Sequence, residues 1–155
     1  MQPKLMTLCL VRQPPRILLG MKKKGLGAGN WNGFGGKVES GESIEEAAIR
    51  EVKEEAGLTV NTVEKAGVID FEFKGDPQTL EVHIFHSSDF SGEISESDEM
   101  RPEWFEVEKI PYDTMWPDDR FWLPLLLSGK RFRGRFLFGE KNAILESKIS
   151  EVTTL

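Results

Sequence analysis

Three glutamates crowd one short stretch of the chain. In "REVKEEAG", residues 50–57, Glu51, Glu54 and Glu55 fall within little more than one turn if the segment is helical. At about 100° per residue they occupy an arc of roughly 100°. Like charges at i,i+3 or i,i+4 repel by ~0.2–0.5 kcal/mol per pair. Carboxylates near a helix C-terminus also oppose the dipole, at about 0.3–1 kcal/mol each. One reading is a solvated acidic face balanced by Arg50 and Lys53. On the helical wheel, however, Arg50, Lys53 and Glu46 fall opposite the carboxylates or on the outer side. The other reading is a hard divalent cation, which turns mutual repulsion into shared oxygen ligation. Mg²⁺ in particular leaves part of its shell to waters and substrate phosphate. Spacing alone does not choose between the two.

The element that must carry these acids is well bounded. Ser43 and Glu46 form the S-x-x-E pattern of a capping box, and Gly57 supplies a left-handed stop, so the spacing predicts a helix over 44–56. Ile49, Val52 and Ala56 adjoin the acidic arc and should face a core. Ala47 and Ala48 lie one turn earlier and leave room above the glutamates. Upstream, "GLGAGNWNGFGGK" at 25–37 carries six glycines in thirteen positions, a loop of unusual backbone freedom. It does not meet the Walker A pattern, because Trp31 and Val38 stand where that pattern needs Gly and Ser/Thr.

Alternating patterns predict strands at 4–12 and 16–22 around Pro14-Pro15, and at 66–73 and 79–86 around "KGDPQ". Further strands are expected at 102–107, 131–138 and 142–152. "WPDDRFWLPLLLSG" reads as a short helix with Asp118 or Asp119 near its start. Phe121, Trp122, Leu123 and Leu125 to Leu127 are expected in the core. Many strands with two helices imply an α+β chain in α/β/α layers. No repeat or linker divides it, so residues 1–155 are expected to form one domain.

Composition narrows the function. Hydrophobic residues make up 39% and charged residues 30% of the chain, a globular balance. A net charge of -6 argues against a general grip on a nucleic-acid polymer, yet leaves room for a single nucleotide. One cysteine, Cys9, excludes an intrachain disulfide and fits a reducing compartment. No apolar run reaches the length of a membrane span, and "MQPKLMTLCLV" reads as a first strand rather than a secretory signal. Cys9, His83 and His86 have no partner cluster that would make them ligands or nucleophiles.

From Gly36 the chain reads Gly36, five residues, Glu42, seven residues, Arg50-Glu51-Val52, one residue, Glu54-Glu55, one residue, Gly57-Leu58. Every specified position of residues 36–58 resembles the Nudix box. The resemblance implies the Nudix fold, a mixed sheet between helices with a loop-helix-loop site, and hydrolysis of a diphosphate linked to another moiety. It implies Mg²⁺ (Mn²⁺ is also possible) held by Glu51, Glu54, Glu55 and the Gly35 carbonyl. Arg50 would orient a glutamate, and Glu42 would do the same or serve the turn. Glu99, in "SDEMRP", is either a further acid at the metal or a surface acid.

The stretches "LMTLCLV", "LLGMKKKG", "GAGNWNGFGGK" and "MWPDDRFWLPLLL" resemble one branch of that family, the vertebrate-type MutT homologues that hydrolyse oxidised purine nucleoside triphosphates. A purine needs stacking surface and partners for its edge. Trp116, Phe71 and Phe73 offer apolar walls, and Asn32 offers a donor and an acceptor. Thr7 and Lys22 match substrate-contacting positions, and Gly33, Gly35 and Gly36 let backbone approach a nucleotide. Phe34, Lys37 and Pro117 belong to the same two stretches and are expected at the substrate. Asp118 and Asp119 either face the base, one of them protonated by mutual repulsion and burial, or one simply caps the following helix. Leu26 and Leu80 stand where some relatives carry Phe and Met. The resemblance implies modified purine nucleoside triphosphates as substrates, a monomer, and a cytoplasmic protein with mitochondrial or nuclear fractions. Two alternatives remain in view: a Nudix enzyme for a dinucleotide or ADP-sugar, and a binding module without catalysis.

Overall fold

The computed structural model describes all 155 residues. In chain order the elements are β1 (Lys4–Gln13), β2 (Arg16–Lys22), β3 (Trp31–Asn32), α1 (Ile44–Ala56), β4 (Thr59–Val60), β5 (Glu64–Phe73), β6 (Asp76–Ser87), β7 (Phe90–Ser91), β8 (Met100–Glu106), α2 (Asp119–Leu127), β9 (Arg131–Phe138) and β10 (Ile144–Val152). The main sheet runs β10-β9-β5-β6-β1-β2-β3, with β8 pairing β2. β1–β6 and β5–β9 are parallel pairs and the others antiparallel, so the sheet is mixed. β4 and β7 form a separate two-stranded ribbon.

Each face of the main sheet is covered by one helix. α1 packs on a core of Cys9, Val11, Leu18, Phe34, Phe85 and Met100, to which it contributes Ala48, Val52 and Ala56. α2 packs on the larger opposite core, where Trp122, Leu123 and Leu126 meet Ile69, Phe132 and Phe136. This is the expected α/β/α layering. Period-two alternation sets it: along β1, Cys9 and Val11 point to one core and Leu10 to the other.

α1 begins and ends where its caps dictate. Ser43 is extended, its hydroxyl accepts from the Glu46 N–H, and the Glu46 carboxylate accepts from the Ser43 N–H at 2.9 Å. Gly57 takes φ 80° and returns its N–H to the Lys53 carbonyl. Ala47 and Ala48 are fully buried, and Ala48 belongs to the core beneath α1. The second helix corrects one expectation. Asp118 precedes it in αR geometry and makes no side-chain cap bond. Phe121 is a second correction: it is 46% exposed, lying against Phe136 at 6.1 Å from the outside.

The glycine-rich loop is stitched to β1. Thr7 N–H donates to the Gly36 carbonyl at 2.8 Å, and Cys9 and Phe34 exchange backbone bonds at 2.6 and 3.1 Å. This places the Phe34 ring, fully buried, beneath α1. It therefore belongs to the core, not to a substrate surface as expected from its place in the motif. Phe34→Ala should cost about 3–5 kcal/mol of stability, the usual result of truncating a buried aromatic. Chemical denaturation would detect it as a lower midpoint at unchanged slope; wild-type stability would place the ring outside the core.

Candidate active site

Two cavities join along the glycine loop. The first holds about 190 Å³ and lies on the α2 side of the sheet. Its walls are aromatic: Phe71 and Phe138 stack with centroids 5.9 Å apart, and Phe73 meets Trp116 edge-on at 6.5 Å. Met6 and Leu8 from β1 and Leu80 and Val82 from β6 form the floor. Leu26, 66% exposed, stands at the rim on the glycine loop. Gly27 sets that loop against the tryptophan. It has φ +85°, and a Cβ there would lie 2.8 Å from Trp116 Nε1.

Polar groups enter this apolar cavity at few points. Asn32 donates through Nδ2 to the Asn30 carbonyl at 2.9 Å, which fixes the amide and leaves its oxygen for another partner. Asp118 and Asp119 also line the cavity, only 3% and 7% exposed. Trp122 Nε1–H donates to Asp118 Oδ2 at 2.8 Å. Burial raises both carboxyls above the usual carboxylate range. Asp119 goes well above it, because the neighbouring charge of Asp118 adds to its desolvation, while the indole N–H restrains the rise at Asp118. Burial thus favours the protonated form in this pair, most strongly at Asp119.

The second cavity is a polar cleft of about 560 Å³ lined by Glu51, Glu54, Glu55 and Glu99. Met6, Lys22, Leu26, Gly35, Gly36 and Glu55 line both cavities, so the two form one continuous trough. The carboxylates are graded in exposure. The Glu54 side chain is 57% exposed and that of Glu51 13%, whereas Glu55 is only 4% exposed. Burial, then the charge of Glu51, pushes the Glu55 carboxyl up to about 8, although the Gly35 N–H donates to it at 2.8 Å. Burial likewise raises Glu51, against the pull of Arg50.

Arg50 does not point away from these acids, contrary to the wheel. Its long side chain folds back along the helix. Nη1 donates to Glu51 at 2.8 Å and Glu54 at 3.3 Å. Nε and Nη2 donate to the two oxygens of Glu42 at 2.7 and 2.9 Å, and Nη2 also reaches the Lys37 carbonyl. Glu42 serves both expected roles, since it also accepts from the Glu39 N–H at 2.9 Å in the turn. Its bond to Arg50 holds its carboxyl down to about 2.

The donor set suits a hard divalent cation: carboxylate oxygens and backbone carbonyls, with no histidine or cysteine in the cleft. The backbone is shaped to meet it. A Cβ on Gly36 would lie 2.7 Å from Glu51 Oε1, and one on Gly35 would lie 1.8 Å from the Thr7 carbonyl. The side chains are not converged on one point. Glu51 turns to Arg50 and Glu55 to the Gly35 N–H, each toward its nearest donor.

Most of the expected site residues meet in this trough: Thr7, Lys22, Asn32, Gly35, Gly36, Phe71, Phe73, Trp116, Asp118 and Asp119 at the first cavity, and Arg50 with the four glutamates at the second. Three do not. Phe34 is core, the Lys37 side chain is outside the lining with only its carbonyl engaged, and Pro117 is half-buried beside the cavity without lining it. Met6, Leu8, Val82, Met100 and Phe138 were missed. For Met6 and Leu8 the signal was available, since alternation along β1 sets them on the face opposite Cys9. Phe138 is one of several similar aromatics in β9 and carries no such mark.

Comparison with known proteins agrees with this geometry. The model of the NUDIX domain family matches residues 3–126. The chain is 57% identical over 152 residues to an oxidized purine nucleoside triphosphate hydrolase of Danio rerio, covering 98% of this chain and 97% of that one. It is 54% identical over 149 residues to the protein of the same name in Mus musculus, covering 96% of each. A solved structure of a MutT protein from Bacillus halodurans superposes with a TM-score of 0.86 at 27% identity, covering 95% of this chain and 97% of that one. Hydrolases of this family generally use a divalent metal. Box, trough and relatives agree, and the chain belongs to the NUDIX family.

Proposed function

We propose that this protein hydrolyses oxidised purine nucleoside triphosphates to the monophosphate and pyrophosphate, clearing damaged precursors from the nucleotide pool. The observation that carries this is the continuous trough. An aromatic cavity ending in the buried Asp118–Asp119 pair opens onto a cleft lined by six carboxylates. The first suits a purine with an unusual edge, the second a polyphosphate with its cation. The relatives over nearly the full chain carry that activity in their names.

Each residue has a physical task in this reading. Phe71, Phe73 and Trp116 surround the base and exclude water from its faces. Asn32 and the aspartate pair address its edge, the pair offering a carboxyl that donates and a carboxylate that accepts. Moving the proton between Asp118 and Asp119 exchanges donor and acceptor, which lets one pocket take an oxidised guanine or an oxidised adenine. Lys22 and the bare backbone of Gly35 and Gly36 face the junction where sugar and phosphates pass. Glu51, Glu54, Glu55, Glu99 and the Gly35 carbonyl are the oxygens that would hold Mg²⁺ or Mn²⁺. When bound there, the ion supplies neutralisation of phosphate charge and acidification of water. Arg50 acts as a positioning residue, donating to Glu51 through Nη1 while Glu42 anchors the guanidinium through Nε and Nη2.

The direct test is pyrophosphate release with Mg²⁺ across 8-oxo-dGTP, 2-hydroxy-dATP, dGTP, ADP-ribose and a diadenosine polyphosphate. The two oxidised nucleotides should be turned over at least tenfold more efficiently than the others. Zero turnover of both would end the proposal. Glu55→Gln should retain the fold and lower kcat by about a hundredfold or more, as loss of an essential charged group at a metal does.

The aspartate pair gives a second test. Asn keeps a donor in place but cannot exchange a proton. Asp118→Asn and Asp119→Asn should each change the ratio of 8-oxo-dGTP to 2-hydroxy-dATP turnover by about tenfold or more, the order expected when one buried hydrogen-bond partner is mismatched. Steady-state kinetics with both substrates would read it, and two variants with unchanged activities would refute proton exchange.

Glu55 also predicts a pH effect on stability. Its folded value of about 8 lies above the ordinary 4.5. Between those values the cation-free native state binds more protons than the unfolded chain. This contribution is therefore fully present below about 4.5 and is lost as pH rises through about 8. At ~1.4 kcal/mol per pH unit, a rise from pH 6 to 8 should cost about 2 kcal/mol, discounted for relaxation. That is roughly 4–8 °C in Tm for a chain of this size. Calorimetry without cation should show this loss in the wild type, a smaller one in Glu55→Gln, and its reversal by Mg²⁺. Identical pH profiles for the two proteins would show that Glu55 is ionised at ordinary pH.

A further inference from the structure

Glu99 is exposed and lies on an irregular segment between β7 and β8, yet it lines the carboxylate cleft. Such a side chain begins with a handicap. Its segment also bears Glu96 and Asp98 and approaches a helix end already carrying Glu51, Glu54 and Glu55. Like charges drive the segment away, and holding a long free side chain in place costs conformational entropy.

A set of bonds opposes this. Ser97 Oγ donates to the carbonyl of Glu55 at 3.0 Å and accepts from the Met100 N–H at 3.1 Å. Ser95 N–H donates to the Ala56 carbonyl at 2.9 Å. Two carbonyls left without helical partners at the end of α1 are thereby satisfied by the segment that carries Glu99. On the other side, Lys23 Nζ donates to the Ser97 carbonyl at 2.8 Å and pairs with Glu96, while the Lys23 N–H donates to the carbonyl of Glu99 itself at 2.8 Å. Lys23 follows Lys22 and begins the loop that carries Leu26 at the cavity rim.

We propose that Ser97 and Lys23 are positioning residues that clamp the Glu99 segment between the end of α1 and the nucleotide loop, so that Glu99 is delivered to the cation and the loop over the substrate is tied to the same anchor. The inference rests on the proposed role of Glu99 at the metal and adds the residues that place it there. Ser97 fixes the segment to the residue whose own carboxylate lies deepest in the cleft. Lys23 supplies the positive charge that the acidic segment needs and joins it to the base side of the trough.

The test uses Mn²⁺ binding to the intact protein without nucleotide, read by electron paramagnetic resonance, with melting temperature as a check on folding. Glu99→Gln should weaken Mn²⁺ binding. Ser97→Ala and Lys23→Met should each weaken it about fivefold, and Ser97→Thr and Lys23→Arg should restore it. Ser97→Ala added to Glu99→Gln should bring no further loss, because both act through one carboxylate. If Ser97→Ala fails to fold, Lys23→Met, at a partly exposed side chain, decides alone. Wild-type affinity in the clamp variants, with Glu99→Gln weakened, overturns the clamp and leaves the metal role of Glu99 standing. Additive losses overturn it equally. Wild-type affinity in Glu99→Gln overturns both.

Discussion

The molecule is organised around a carboxylate kept out of water. Glu55 is almost fully buried beside a second acid, Glu51, and its compensation is one N–H from Gly35 and the more distant charge of Lys22. A buried charge so lightly supported is costly, and in the metal-free chain the group answers by holding a proton at ordinary pH. The rest of the site bears on that cost. Arg50 draws Glu51 aside and is itself drawn by Glu42. α1 must be rigid for these groups to stay in register, and its capping box and left-handed glycine provide that rigidity. A divalent cation bound there would replace the proton with a stronger partner, and the strain of the acidic cleft would become affinity for the metal and its phosphate cargo.

The same constraint explains the glycines. Gly35 lies so near β1 that any side chain would occupy the Thr7 carbonyl, and Gly36 so near α1 that one would strike Glu51. Between them the backbone fills a gap one residue wide between sheet and helix. It brings its own N–H and C=O groups to the carboxylates without interposing bulk. Lys22 arrives at the same junction from β2, with its positive charge facing the acids. The Gly35-Gly36 end of the loop is thus positioned by the sheet, through bonds to Thr7 and Cys9.

Legibility in the sequence follows the range of the interactions involved. The bounds of α1 are those expected, because capping box and glycine stop are local chemistry. The hairpin expected at 66–73 and 79–86 is real but longer, Glu64–Phe73 and Asp76–Ser87, because the chain turns tightly at Lys74-Gly75 and Asp76 and Pro77 join the strand. The Nudix box gathers its acids within one helix, so spacing alone reveals them. Phe34 misleads because its glycine neighbours look like ligand-contacting loop, while the strand bond to Cys9 turns its ring inward. Arg50 misleads because a wheel places the Cα, whereas a guanidinium reaches back across a turn. Ser97 and Lys23 are silent in sequence, since their bond spans 74 positions and each looks like ordinary surface polarity.

The two ends of the trough solve one problem in different ways. At both, a pair of carboxyls is buried side by side, and two negative charges cannot share a dry site without help. Glu51 and Glu55 are separated by a helical turn and stand open to a cleft, where a mobile cation can join them. Asp118 and Asp119 are consecutive and line a largely apolar, aromatic-walled cavity that brings few other oxygens toward them. Burial there raises both carboxyls, so a proton is the counter-charge their surroundings favour. Whether a buried acidic pair becomes a metal site or a hydrogen-bond reader of a base is therefore decided less by the acids than by the chemistry of the walls around them.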